Sequence, residues 1–191
     1  MNIIHSEMVT ALAKSGAVIA AELTAGDANL LHMAVGISGE AAELLDAIQK
    51  AVLRDGELDG ENVLEELGDL EFYTEGMRQE LQVTRDECLA ASMVEDLGDA
   101  PDLLTVAVDI VVVSGDIMDS VKRATIYRKP LDIGKIAHEL GRLDRHMRTI
   151  CKYRQLSRQD CLDANIAKLG KRYEGLKYSD TAAQDRADKQ A

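Results

Sequence analysis

Tryptophan is absent from this 191-residue chain, and aromatic residues make up only 3% of it. Val, Ile, Leu, Met and Ala must therefore fill any core, which suits helix-on-helix packing. Proline is nearly absent too. Pro101 and Pro130 are the only two, so long uninterrupted helices are possible. The three cysteines, Cys88, Cys151 and Cys161, are odd in number and lack CxxC spacing, and they read as reduced thiols of a cytosolic protein. Basic charge is in deficit. A net charge of −12 argues against a duplex nucleic-acid binder held by phosphate contacts, but an acidic protein can still take a small phosphate ester if metal ions mediate the contact. Apolar runs such as Ile110-Val111-Val112-Val113 are far too short to span a membrane. The N-terminus lacks a basic region followed by an apolar run, so no signal peptide is expected and the expected location is cytoplasmic.

What the chain does have is one helical unit written twice. The first copy reads Ser38-Gly39-Glu40-Ala41-Ala42-Glu43, then Glu65-Glu66-Leu67-Gly68-Asp69, then Thr84-Arg85-Asp86-Glu87-Cys88-Leu89. The second reads Ser114-Gly115-Asp116-Ile117-Met118-Asp119, then His138-Glu139-Leu140-Gly141-Arg142, then Ser157-Arg158-Gln159-Asp160-Cys161-Leu162. The offset is 76 residues from Ser38 to Ser114 and 73 from Thr84 to Ser157, so three residues are lost in one connection. Leu58-Asp59 and Leu131-Asp132 already sit at the later offset, which places the loss before them. Three blocks matching in order are a strong repeat signal.

Periodicity predicts a first helix over His5–Leu23, with Ala11, Ala17, Val18 and Ala21 among its apolar positions. Asp27 is expected to cap a second helix running to Leu53, with an inner stripe of Leu30, Ala34, Ile37, Ala41, Leu44, Ile48 and Val52. A turn at 55–60 leads to a third helix with Val63, Leu67, Leu70, Phe72, Tyr73 and Met77 as candidate core positions. Thr84-Arg85-Asp86-Glu87 is a capping box for a short fourth helix. Gly98-Asp99-Ala100-Pro101 marks the expected boundary between halves. Beyond it the plan repeats, with helices expected over Leu103–Ala124, Ile133–Tyr153 and Arg158–Arg172. Val106–Val113 is β-branched, but its alignment with the second helix argues for helix. After Tyr173 the chain turns polar and has no core stripe, which implies a tail that is disordered or folded over another part of the molecule. The expected organisation is 1–98, 99–175 and a tail of 176–191 within one compact all-α bundle.

The acids carry the chemistry. Glu40 and Glu43 lie one turn apart on one helix, and Glu66 and Asp69 repeat the spacing on the next. Glu40 falls in the phase of Ile37, Ala41 and Leu44, and Glu66 in that of Val63, Leu67 and Leu70. Inward carboxylates are costly unless compensated. Four of them imply cations, and an all-oxygen donor set favours Mg²⁺ or Mn²⁺. The alternative is an exposed acidic face, and two such pairs on consecutive helices, both in the apolar phase, favour the metal.

The Glu40-x-x-Glu43 pair, followed after 22 residues by Glu66-x-x-Asp69, resembles the MazG-like all-α nucleoside triphosphate pyrophosphohydrolases. The words Gly36-Ile37-Ser38-Gly39-Glu40-Ala41-Ala42-Glu43-Leu44 and Glu65-Glu66-Leu67-Gly68-Asp69-Leu70-Glu71-Phe72-Tyr73 are similar to phage-encoded members in particular. So is Asn165-Ile166-Ala167-Lys168-Leu169-Gly170-Lys171-Arg172-Tyr173, with Tyr178-Ser179-Asp180 after it. The resemblance implies that Glu40, Glu43, Glu66 and Asp69 hold Mg²⁺ or Mn²⁺, and that a nucleoside triphosphate is split into monophosphate and pyrophosphate. It also implies a bacterial or phage-infected host cytoplasm. Family members usually carry the unit once and pair as dimers or tetramers. Two tandem units here imply an intramolecular pseudo-dimer, and two such chains could pair as a homodimer.

The copies have diverged in complementary ways. Glu40 becomes Asp116, Glu43 becomes Asp119 and Asp69 becomes Arg142, while Glu139 alone keeps its identity. Arg142 puts a fixed cation where a metal would sit, so the second site is expected to be dead. Conversely, Lys168 aligns with Glu95, so the first copy lacks the Lys-x-x-Lys-Arg-Tyr element. The resemblance makes Glu40 the carboxylate that orients the attacking water. Lys168, Lys171 and Arg172 then face the leaving pyrophosphate, with Tyr178 closing over nucleotide. Lys50 could meet a phosphate, Asp46 and Glu65 could be extra ligands, Tyr73 could stack on a base or fill the core, and His32 reads as a packing or capping residue. An enzyme for one nucleotide, dUTP or dGTP, and a non-catalytic nucleotide-binding regulator are the competing functions.

Overall fold

In a computed structural model of the chain, residues 4–54, 56–93 and 102–189 are described, and they form no strand. The expected boundary at Gly98–Pro101 and the aligned position Glu95 lie outside the described residues. Three helices form the first half of the bundle: α3 (Ala25–Leu53), α4 (Gly60–Leu81) and α5 (Arg85–Ala91). Their counterparts are α6 (Leu103–Thr125), α7 (Ile133–Arg154) and α8 (Arg158–Arg172).

The first expected helix is two. α1 (His5–Leu12) stops before Ser15, whose hydroxyl accepts from the Val18 amide and starts α2 (Gly16–Glu22). Ser and Gly side by side favour a cap over a helix interior. Neither helix buries a residue, so Ala11, Ala17, Val18 and Ala21 are not core. Asp27 is not the cap of α3. Thr24 is, and Asp27 closes the box from the third helical position, accepting from the Thr24 amide at 2.9 Å. Arg128 reaches the same carboxylate at 2.7 Å and, with the backbone of Thr24, holds it down to about 2.

The inner stripe of α3 is buried as expected from Leu30 to Ile48, but Val52 is exposed at the frayed end. On α4, Val63, Leu67, Leu70 and Met77 are buried, whereas Phe72 is exposed and Tyr73 half-buried. The β-branched stretch of α6 is helical because burial wins. Helix propensity opposes it by at most about 0.7 kcal/mol per residue. Burying Val106, Ile110 and Val113 fully returns about 1.5–3 kcal/mol each.

The two halves terminate their helices alike. Asp59 and Asp132 cap α4 and α7. Gln82 and Gln155 end those helices in the left-handed region at φ 56° and 55°, and Thr84 and Ser157 open α5 and α8 with full capping boxes. The packing is crossed. α3 lies against α6 at the centre, with α4 on the flank of α3 and α7 on that of α6, but α5 packs on α7 and α8 packs on α4. Each half thus lends its last helix to the other. Two glycines permit this. A Cβ at Gly68 would sit 2.8 Å from the carbonyl oxygen of Cys161 on α8, and one at Gly141 only 2.0 Å from that of Cys88 on α5.

Beyond α8 the tail is folded over the molecule. A turn at Glu174–Leu176 carries Gly175 at φ 65° and leads to α9 (Asp180–Asp185) and a last turn at Ala187–Lys189. Arg172 clamps that last turn by donating two hydrogen bonds to Asp188, at 2.6 and 2.7 Å.

Candidate functional site

The crossing brings α8 of the second half to the acidic pairs of the first. Glu40 and Glu43 come from α3 and Glu66 from α4, and one carboxylate oxygen of each lies within 4.8 Å of the others. Their burial is graded and not uniform: Glu66 is 4% exposed, Glu40 half-buried and Glu43 exposed. Only Glu66 points fully inward. Burial pushes its carboxyl up to about 8, helped by a hydrogen bond with Glu40 and by the negative charges of Glu40, Glu43 and Asp69. Glu40 is raised as well, first by burial. Burial and mutual repulsion of the carboxylates thus favour the protonated form of the Glu40–Glu66 pair, against the opposing charge of Lys168.

Asp69 is placed differently from the other three acids. Its two oxygens are both engaged by α8, one accepting from Asn165 at 2.7 Å and the other from Lys168. Lys168 also contacts Glu65 at 2.5 Å. Burial disfavours the lysine's charge, but hydrogen bonds to Asp69 and Glu65 outweigh it and raise the lysine above its ordinary range. Glu65 is therefore an ion-pair partner of α8, whatever else it does. Cys161, Asn165, Lys168 and Arg172 are spaced four, three and four apart, so a single face of α8 meets α4.

These groups line a cavity of about 600 Å³. Glu40, Glu43, Glu65, Glu66, Asp69 and Lys168 form its polar side. Phe72, Tyr73, Tyr173 and Tyr178 also line it, and these are four of the six aromatic side chains in the chain, with His32 beside them. Tyr73 meets Phe72 edge-on at 5.2 Å and His32 at 5.9 Å, and Tyr173 lies 5.7 Å from Tyr178. In a chain so short of aromatics, their gathering at one mouth is a structural choice and not core filling. The tail supplies the far wall through Leu176, Ala183 and Arg186.

Two residues expected at the site are not among its lining. Lys50 pairs with Asp46 at 2.5 Å on an exposed stretch of α3, which also takes Asp46 away from the acidic cluster. Lys171 is exposed beside the lining residue Arg172. Arg172 itself has its guanidinium fork on Asp188, which raises the arginine further and holds the carboxylate down to about 2. The sequence reading missed Asn165, which the four-three-four spacing on α8 could have revealed, and Asp188, for which no periodic signal exists.

The equivalent acids of the second half do not assemble. Glu139 is buried and accepts from Arg142 at 2.9 Å, with His138 at 3.5 Å. Asp119 pairs with Arg123 at 2.7 Å, and Asp116 is exposed. Arg142 thus compensates the one buried acid internally. Comparison with family models, with curated proteins and with solved structures returns no match.

Proposed function

We propose that the protein hydrolyses a nucleoside triphosphate to the monophosphate and pyrophosphate with Mg²⁺ or Mn²⁺, in a MazG-like pseudo-dimer whose second half completes the site of the first. The observation that carries this reading is the carboxylate cluster of Glu40, Glu43 and Glu66, set in the same cavity as Lys168 and four aromatic rings. The donor set fits a hard divalent cation: all its ligand atoms are oxygens, and burial together with the neighbouring carboxylates pushes Glu66 up to about 8. Glu40, Glu43 and Glu66 would hold the metal, with Asp69 adjacent. When bound, the metal lowers the pKa of a coordinated water and neutralises phosphate oxygens.

The chain's own groups divide the remaining work. Glu40 is half-buried and within 4.8 Å of both Glu43 and Glu66, where its carboxylate can accept a hydrogen bond from the attacking water and orient it toward the α-phosphorus. Lys168 and Asn165 fix the orientation of Asp69 by donating to its two oxygens. Lys168 also gives the phosphate side of the cavity its positive charge. Arg172 reaches a phosphate only by exchanging Asp188 for it, so substrate entry and rearrangement of the tail are linked. Phe72, Tyr73, Tyr173 and Tyr178 offer flat faces to a nucleobase. The complementary loss fits the same picture, since the half with compensated acids donates the lysine and the half with the open cluster receives it.

Pyrophosphate release from a panel of ribo- and deoxyribonucleoside triphosphates, with and without Mg²⁺, tests the proposal. Metal-dependent release from at least one triphosphate is expected, and none from any member would overturn it.

A further inference from the structure

A second cavity, of about 350 Å³, lies at the start of α8, where Arg158 and Cys161 line it, whereas the acidic cluster's cavity is lined by Lys168, Leu169 and Arg172 at the helix's other end. The walls of the second cavity are charged. Arg158 grips Glu71, Arg85 and Arg148 both grip Asp144, and Lys152 stands at the rim. The walls also include two thiols, Cys151 near the end of α7 and Cys161 in the first turns of α8. Their sulfurs are 3.8 Å apart. Both are free and nearly inaccessible from the general surface, so the cavity is their opening to solvent.

We propose that Cys151 and Cys161 are a redox-active dithiol that a peroxide entering this cavity converts into an intrachain disulfide. Ten residues and one tight turn separate the two positions, and that turn is fixed by Gln155 in the left-handed region and by the Ser157 capping box. The sulfurs must close by about 1.7 Å to reach bonding distance, which side-chain rotation at the two helix ends can supply. The roles are unequal. Cys161 can donate to Cys151 and to the Ser157 carbonyl oxygen at 3.7 Å. The hydrogen bond from Cys161 holds the Cys151 thiol below its usual range, and the same contact, with burial, pushes Cys161 up. Cys151 is then the attacking sulfur and Cys161 the resolving one.

The step balances with hydrogen peroxide as the two-electron oxidant. The Cys151 thiolate attacks one peroxide oxygen, the O–O bond breaks, and the departing hydroxide takes up a proton to leave as water. The resulting sulfenic acid is attacked by the Cys161 sulfur. The S–S bond forms, the sulfenic oxygen leaves as a second water with the Cys161 proton, and each sulfur has lost one electron. The product staples the end of α7 to the start of α8. Cys161 shares its face of α8 with Asn165, Lys168 and Arg172, so the staple bears on the helix that reaches the candidate site.

The test uses the full chain and no substrate, so it is independent of the proposed hydrolysis. Reduced protein is treated with a small molar excess of hydrogen peroxide, then unfolded in the presence of a maleimide and weighed. With three cysteines, the expected product carries one maleimide where the untreated protein carries three, and it has lost two hydrogens. Peptide mapping should place the link between positions 151 and 161, dithiothreitol should reverse it, and Cys88→Ser should form it equally well. Cys151→Ser and Cys161→Ser should each abolish it. Retention of three maleimides, over-oxidation of Cys151 without a link, a link through Cys88, or a yield no higher than in urea-unfolded chain would each overturn the proposal.

Discussion

Arg158, in the first turn of α8, donates two hydrogen bonds to Glu71 of α4 at 2.7 and 2.8 Å, and 73 residues earlier Arg85 of α5 does the corresponding thing to Asp144 of α7 at 2.6 Å. The two ion pairs are the same interaction made in opposite directions across the bundle. They join helices from different halves, so neither half closes its own core. The crossing decides the site, because without it Lys168 and Asn165 would be far from Asp69.

The glycines beneath the crossed helices give the first prediction. Gly141→Ala forces a methyl group into backbone of α5, and Gly68→Ala does so against α8. Backbone cannot swing aside, so each should cost about 1–3 kcal/mol, with Gly141→Ala the worse. Chemical denaturation measures this, and an unchanged midpoint for Gly141→Ala would contradict the crossed packing.

The metal cluster gives the second. Magnesium should raise the melting temperature of the wild-type chain, by a free energy approaching about 2.7 kcal/mol at a hundred times the dissociation constant. Glu43→Gln should lose most of that gain and all turnover while keeping its helical spectrum. Asp116→Asn should keep both, because Asp116 is exposed and the buried acid of its half, Glu139, already has Arg142 as its partner. Equal loss in the two variants would mean that the second half also binds metal.

Glu66 sets the pH dependence. Its folded carboxyl titrates near 8 and its unfolded one in the ordinary range near 4.5. Between those values the folded state holds a proton that the unfolded state has lost, so metal-free stability should be highest below about 4.5 on this group's account and should fall as pH rises to about 8. A divalent cation competes with that proton, so its stabilising effect should grow over the same window. Thermal melts at several pH values with and without Mg²⁺ check this. Glu66→Gln should flatten the metal-free profile, and a wild-type metal effect that is constant from pH 5 to pH 8.5 would refute the assignment.

Much of the bundle was legible because its signals are local. The inner stripe of α3 from Leu30 to Ile48, the capping box at Thr84 and the bounds of α8 follow from spacing alone. The break at Ser15 is not legible from periodicity, because the alanine-rich sequence is apolar enough to run on although it buries nothing. The acidic pairs were legible as one-turn repeats in the apolar phase. Their unequal burial was not, because the phase of a helix does not say where its neighbour ends. Nor could the sequence separate Arg172, which lines the cavity, from Lys50 and Lys171, which do not, since that depends on where the crossed helix lies and on Asp188 of the folded tail.

The tail carries the fourth prediction. A chain stopped after Tyr173 loses Leu176, Tyr178, Ala183 and Arg186 from the cavity but nothing from the core, because no residue of the tail helices is buried. Its stability should fall only by about 1–3 kcal/mol, the loss of the Asp188 partner of Arg172. Its affinity for triphosphate should fall by about 1–3 kcal/mol, the worth of one stacked base, read as a raised Michaelis constant. An unchanged Michaelis constant would place the tail outside the working site.

The central claim is attack by water on the α-phosphorus at the cluster of Glu40, Glu43 and Glu66. Turnover of a mixed nucleoside triphosphate panel in ¹⁸O-labelled water with Mg²⁺, followed by mass analysis of the products, tests it most directly. The account predicts nucleoside monophosphate carrying one labelled oxygen alongside unlabelled pyrophosphate. Release of inorganic phosphate with a diphosphate product, label in the pyrophosphate, or no turnover of any nucleotide would contradict it.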